Sequence, residues 1–206
     1  PFVEVPAGVN LNIGVAPGTS SGPGDVIADF DVTLDVNEAY VAIANGVLDP
    51  SAFAANPDTL GIGFTIFVKT GAREAATDPA MVDFFVLHGS TDAPTVDVIA
   101  RDAAKLVDDA AYGDMTDYIS VPPNAYILDI TPGGDDTLVV VSFDADLSGL
   151  GGGAASVFAS GFFDPSLNGD GPAFGLFAAL PNGTVVEFPA HTDSTLGYSS
   201  RGAEAG

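Results

Sequence analysis

The sequence predicts an all-β protein assembled from a repeated sandwich unit. Three observations carry that expectation: period-2 alternation of apolar and polar residues, frequent Gly and Pro breakers between the alternating runs, and landmarks that recur at a nearly constant internal offset.

The alternation is clearest where Val26, Ala28, Phe30, Val32 and Leu34 interleave with Asp25, Ile27, Asp29, Asp31, Thr33 and Asp35. Such a run is a strand with one apolar and one carboxylate-rich face. We expect the first set to face a core and Asp29 and Asp31 to face solvent, so that Phe30→Ala costs about 3–5 kcal/mol. Val9 to Ile13 and Tyr126 to Ile130 alternate in the same way. Between the strands lie Pro17-Gly18, Gly22-Pro23-Gly24, Pro132-Gly133-Gly134, the glycine run 149–153 and Asn182-Gly183. They fall at the roughly 8–12-residue spacing of a sandwich, and the run 149–153 reads as a flexible hairpin connection. Helical candidates are short and poorly capped; residues 72–76 and 103–111 are the best of them.

Four landmarks recur. Val3-Glu4-Val5-Pro6 matches Ile119-Ser120-Val121-Pro122, Ala16-Pro17-Gly18 matches Thr131-Pro132-Gly133, and Phe30-Asp31 matches Phe143-Asp144. Most specific is the match of Asn45-Gly46-Val47-Leu48-Asp49-Pro50-Ser51 to Ser160-Gly161-Phe162-Phe163-Asp164-Pro165-Ser166; all four lie 113 to 116 residues apart. The duplication is unequal, because residues 82–118 have no counterpart in the first copy. We therefore expect a partial unit over 1–76 that lacks about three strands on its N-terminal side, a complete unit over 77–190, and a polar tail over 191–206.

Composition sets the function classes. Hydrophobic residues make up 47% of the 206 and charged residues 16%, which excludes a disordered chain. Five Glu and 23 Asp stand against five Lys and Arg, giving a net charge of −23. A polyanion of this kind repels nucleic acid and anionic lipid, and Asp suits turns better than helices. No apolar run is long enough to span a bilayer, so membrane insertion is not expected. With no Cys there is neither a thiol nucleophile nor a disulfide. Residue 1 opens directly on strand-like sequence, which reads either as a mature chain or as a start partway into a longer precursor.

The start of the second unit reads Val86-Leu87-His88-Gly89-Ser90-Thr91-Asp92-Ala93-Pro94-Thr95-Val96-Asp97-Val98, followed by Tyr112-Gly113, Tyr118, Val121-Pro122 and Tyr126. This order resembles a bacterial and archaeal family of secreted domains of unknown function, whose signature is a strand ending in HASPDAP and then a VDVY-type strand, a Tyr-Gly pair and a Val-Pro-Ala-Gly turn. Val5-Pro6-Ala7-Gly8 carries the fuller form of that turn. The resemblance covers 82–188 well and 1–70 in part. Gly89, Thr91 and Pro123-Asn124 depart from the pattern, all at turns. It implies tandem immunoglobulin-like β-sandwich units on exported proteins, hence an extracellular or cell-surface location, and no known activity.

Several residue sets invite a chemical reading. His88, Asp92 and Asp97 resemble an acid–base or metal set, but Asp92 before Ala93-Pro94 reads as a turn former and His88 as a partner for that turn's backbone. His191 reads as solvated. Asp164, Asn168 and Asp170 cluster oxygens, yet the bidentate carboxylate of a calcium loop is missing. The first copy keeps Asp49-Pro50-Ser51 without the Asn-Gly-Asp, so a turn-capping Asp is the shared role and Ca²⁺ the lesser alternative. The run 149–153 lacks the Gly-Lys-Ser/Thr of a phosphate loop, and no G-x-S-x-G elbow occurs. No catalytic, cofactor or metal residue is therefore assigned, and the chain is expected not to be an enzyme. The expected function is an extracellular structural protein that associates with itself head to tail, as a filament or surface-layer subunit; the alternative is a surface-displayed adhesion or ligand-binding module.

The charge generates a first prediction. Repulsion among the carboxylates opposes the compact state and is screened by salt, so the melting temperature rises from low salt to molar NaCl in a thermal scan. A flat profile removes the charge as a destabilising term.

Overall fold

A computed structural model describes residues 2–192. It is all-β, with no α-helix and hence no helix long and apolar enough to cross a membrane among the described residues. The strands are β1 (Asn10–Val15), β2 (Ala28–Thr33), β3 (Tyr40–Asn45), β4 (Thr65–Thr70), β5 (Val82–His88), β6 (Val96–Ala100) and β7 (Ala104–Ala110). After them come β8 (Ile119–Val121), β9 (Ala125–Pro132), β10 (Val141–Asp146), β11 (Ala154–Ser160), β12 (Gly175–Ala179) and β13 (Val185–Phe188). Two compact units result: residues 1–44 with 66–72, and residues 45–65 with 73–206.

The second unit is a sandwich. One sheet runs β10-β9-β6-β7 and the other β13-β12-β11-β5-β8. All pairings are antiparallel except β5 with β11, which lie parallel with Asp83 opposite Ala154. Their facing side chains form one core that includes Phe84, Val98, Leu128, Phe143, Leu176 and Phe188. β5 is buried on both faces along its whole length, with Phe85 and Leu87 fully enclosed. Its outward face is covered by the chain that follows β7: Thr116 N–H donates to Val86 O, and Tyr118 stacks edge-on against Phe85. A continuous Val-Asp-Phe-Phe-Val-Leu run is what such a doubly covered strand requires.

The first unit holds two two-stranded sheets, β1-β2 and β3-β4. In β1-β2, Leu11 faces Val32 and Ile13 faces Phe30, while Asn12 faces Asp31. The expected register is therefore correct: Asp29 and Asp31 are exposed, and Asn12 Nδ2 donates to both. The expected burial is not reached. Ala28, Phe30, Val32 and Leu34 are only half-buried and Val26 is exposed; no described residue of this unit is buried. Among the described residues, no strand of this unit corresponds to β5, β6 or β7.

The repeat survives in three dimensions. β1 to β4 correspond to β9 to β12, and both copies carry a 3₁₀ turn after Asp-Pro, Pro50–Ala52 and Pro165–Leu167. Before each turn a glycine takes a left-handed φ, 89° at Gly46 and 82° at Gly161. At each, a Cβ would lie within 2.5 Å of a carbonyl oxygen (Gly63 O and Ala173 O), so both positions require glycine.

Two expectations fail. Residues 103–111 hold a strand, β7, and residues 72–76 are irregular. Val107 and Ala110 point into the core from a strand whose register shifts beside β6, and Asp109 takes a φ of 51°. A bulge disguised the period. The run 149–153 is no hairpin either: it crosses from β10 in one sheet to β11 in the other and is pinned by Gly152 N–H to Met81 O and Asp83 N–H to Gly153 O.

The repeat supplies its own control for core packing. Phe143 is 3% exposed, whereas its counterpart Phe30 is half-buried. We expect Phe143→Ala to cost about 3–5 kcal/mol and Phe30→Ala about 1–2 kcal/mol in urea titrations. Equal losses would mean that Phe30 is covered in solution.

Candidate functional site

Sequence reasoning singles out the turn between β5 and β6, and the structure buries it among hydrogen bonds to two other loops. Residues 88–93 are all buried. The turn carries the chain from one sheet to the other, so its polar groups leave water and need partners inside the protein. Gly89 N–H donates to Ala159 O, and Ser90 Oγ donates to Gly161 O at 2.8 Å. Asp92 accepts from Phe163 N–H and Asp164 N–H, both at 2.8 Å, and from Asn168 Nδ2 at 2.7 Å. Its role is thus a long-range tie to the loop after β11 rather than the expected local turn. Three charge-assisted bonds compensate its burial.

A second loop holds the turn from the other side. Asn45 Nδ2 donates to Gly89 O, Asn56 Nδ2 donates to Thr91 O and Ala93 O, and Asp58 accepts from Thr95 N–H and Oγ1. Tyr112 OH donates to Asn45 Oδ1, which fixes that amide. Residues 45–65 therefore belong to the second unit, although they come from the first copy of the repeat. No local signal in Asn45, Asn56 or Asp58 announces contacts 35 to 44 residues away.

His88 is 2% exposed. As expected it bonds the turn's backbone: Nε2 lies 3.0 Å from Pro94 O, so Nε2–H donates. Nδ1 has no hydrogen-bond partner among the described residues. Burial pushes the imidazole pKa below the ordinary value and outweighs the bond to Pro94. The ring thus holds the turn through Nε2.

Asp97 is not part of the His88 cluster. It is one of three buried strand carboxylates, each held by a cation that sequence reasoning did not pair with it. Asp83 accepts from Arg73 Nη1 at 2.7 Å, from Thr77 N–H and Oγ1, and from Ser120 Oγ. Asp97 accepts from Lys105 Nζ at 3.0 Å and from Asp109 N–H. Asp129 accepts from Arg101 through Nε and Nη2 at 2.9 and 2.7 Å, and from Ser142 Oγ. Burial raises each pKa, but the donors together outweigh it and hold all three below the usual carboxylate range. Arg73 also covers the Tyr118 ring at 4.3 Å.

The remaining candidates lie at turns and near the end of the described residues. Asp49 and Asp164 cap their 3₁₀ turns, accepting from Ser51 and Ser166 through both N–H and Oγ. Asn168, one of the three oxygen-bearing residues weighed for Ca²⁺, is buried and donates to Asp92 and Asp164 O while accepting from Ala54 N–H. Asp170 is exposed with a φ of 53°. His191 is not freely solvated, since its Nδ1 lies 2.7 Å from Asp144 Oδ1; residues 193–206 of the expected tail lie outside the described residues. An apolar cavity of about 30 Å³ bounded by Phe84, Val98, Leu128 and Phe188 belongs to the core and suits no polar substrate.

Residues 82–169 match the family described as a domain of unknown function, DUF4397. The match begins at β5, spans the turn and both loops' contact points on the second copy, and ends beside Asn168. No curated protein and no solved structure matches the chain.

The titrating groups yield a pH prediction with two separate limbs. His88 is kept neutral in the fold, while the unfolded chain protonates below about pH 6.5, so its contribution is present above that value and lost as pH falls below it. Asp83, Asp97 and Asp129 contribute above about pH 4 and lose that contribution as pH falls through their lower folded values. Urea midpoints should decline below about pH 6.5 and again, more steeply, below about pH 4. His88→Gln should flatten the first limb only; an unchanged slope in that variant rules out His88 as its source.

Proposed function

We propose that this chain is an extracellular structural protein that associates with itself, as a filament or surface-layer subunit, and that it is not an enzyme. The observation that carries this reading is the state of the first unit. Leu11, Ile13, Phe30 and Val32 lie on one face of a two-stranded sheet and none is buried. Val3, Val5 and Val9 beside them in the chain are 78%, 50% and 48% exposed. Val3-Glu4-Val5 aligns with β8 in the repeat and lies outside the strands, whereas β8 is paired with β5. Apolar sheet faces and unpaired edges are unfavourable in water and are templates for association.

The resemblance of the signature turn and its flanking strands supports an immunoglobulin-like tandem on an exported protein. The charge of −23 supports a surface exposed to salt or divalent cations rather than to nucleic acid. The non-enzymatic reading rests on the side chains described above: His88, Asp92 and the three strand carboxylates are engaged in holding the fold, and no nucleophile, base and orienting group converge among the described residues. A contact that joins the first unit of one copy to a different surface of the next is head-to-tail, and it propagates unless rotation closes it.

Light scattering and negative-stain microscopy of the purified chain at rising concentration test the reading. Concentration-dependent linear or lattice assemblies are expected, and Val5→Asp with Val9→Asp should shift their onset to higher concentration. A monodisperse monomer at all concentrations would replace this reading with that of a surface-displayed adhesion or ligand-binding module.

A further inference from the structure

We infer that Asn182, in the turn between β12 and β13, is a covalent modification site: the acceptor of an N-linked glycan. This rests on the extracellular reading above, since lipid-linked glycans are transferred to chains that leave the cytoplasm. It adds a specific atom and a specific chemistry to that reading.

Asn182-Gly183-Thr184 is the sole Asn-x-Ser/Thr triplet of the sequence; none of the other seven Asn has Ser or Thr two residues on. Such a triplet is an acceptor where it lies on a surface loop, with the amide nitrogen as the nucleophile and the hydroxyl as the recognition element.

The structure leaves both groups available. Asn182, Gly183 and Thr184 are all exposed. They lie at the tip of an antiparallel hairpin in which Ala179 faces Val185. The backbone closes this hairpin: Leu180 N–H donates to Thr184 O and Gly183 N–H to Leu180 O, with Gly183 at a φ of 89°. The Asn182 side chain contributes through its oxygen alone, Oδ1 accepting from Thr184 N–H at 2.9 Å. Asn182 Nδ2 and Thr184 Oγ1 have no hydrogen-bond partner among the described residues.

The other two Asn-Gly pairs show what a committed amide looks like. Asn45 Nδ2 donates to Gly89 O, and the buried Asn168 Nδ2 donates to Asp92 and to Asp164 O. Those amides hold the fold, whereas the Asn182 amide nitrogen holds nothing. Turn formation accounts for Asn182 Oδ1 and for Gly183. It does not account for the Thr184 hydroxyl, because the turn uses only the backbone of residue 184. The location also suits a bulky hydrated group. β13 is an edge of its sheet, and Val185 and Val186 at its start are 57% and 43% exposed. A glycan on the preceding turn obstructs strand addition at that edge.

The co-reactant is a glycan carried on a polyprenyl phosphate or pyrophosphate. Asn182 Nδ2 attacks the anomeric carbon, a C–N bond forms, and the bond from that carbon to the phosphate oxygen breaks. The phosphate leaves with the electron pair, and the transferring enzyme takes the proton lost from Nδ2. Nothing is oxidised or reduced.

The test separates the cytosolic and external fractions of cells that make the chain natively. Intact mass and tandem mass spectrometry of the peptide containing residue 182 are then read in each. External chain with sugar on Asn182 is expected. External chain with Asn182 unmodified overturns the inference and leaves the extracellular reading standing. Modified chain held inside the cell does the reverse, and unmodified chain held inside overturns both. Thr184→Ala keeps the N–H that bonds Asn182 Oδ1, so it should retain the parent circular dichroism spectrum yet lose the modification completely; Thr184→Ser should keep it. An intact-mass increment unchanged in Thr184→Ala places the sugar elsewhere and also overturns the inference.

Discussion

The passage of the chain from β5 to β6 is the constraint on which the rest of the structure depends. It links the two sheets of the second unit, and its buried turn is tied to the loop after β11 through Asp92 and to the loop after β3 through Asn45 and Asn56. Where the crossing is present, Val82, Phe85, Leu87 and Leu176 are excluded from water. Where it has no counterpart, strands of the same sequence type pair locally and bury nothing completely. Alternation suffices to make paired strands, and the second layer is what makes a core.

Electrostatics in this chain are organised by scarcity. Five cations face 28 acids, and three of the five, Arg73, Arg101 and Lys105, are committed to carboxylates that lie inside the sandwich. The surface is negative because the acids far outnumber the cations, and few cations are left to pair with the exposed carboxylates. Lys105 joins Asp97, Asp108 and Asp136 at once, so a single ammonium ties β6, β7 and the loop after β9 together. Removing one partner of such a buried pair leaves the other unpaired, which makes these ties far more important to stability than exposed pairs.

Local pattern reveals β1, β2 and β9 as strands and the exposed face of β2, and the offset of the Asp-Pro-Ser landmarks reveals the duplication. The signature turn was recognisable, and His88 bonds its backbone as expected. What stayed hidden was long-range. Asp92 looks like a local turn former, and only the fold brings Phe163 and Asn168 to it. Nothing local pairs Asp83, Asp97 and Asp129 with Arg73, Lys105 and Arg101. β7 was mistaken for a helix because a bulge breaks its period of two.

The parallel pairing of β5 with β11 has a consequence for how the chain is made. β5 is apolar on both faces, yet its neighbour in the sheet emerges only after β6 to β10 have been synthesised. Until then a strand with two sticky faces waits without its lateral partner, and such non-local pairings form slowly. The nascent second unit is therefore most vulnerable to misassembly between translation of Val82 and of Ser160.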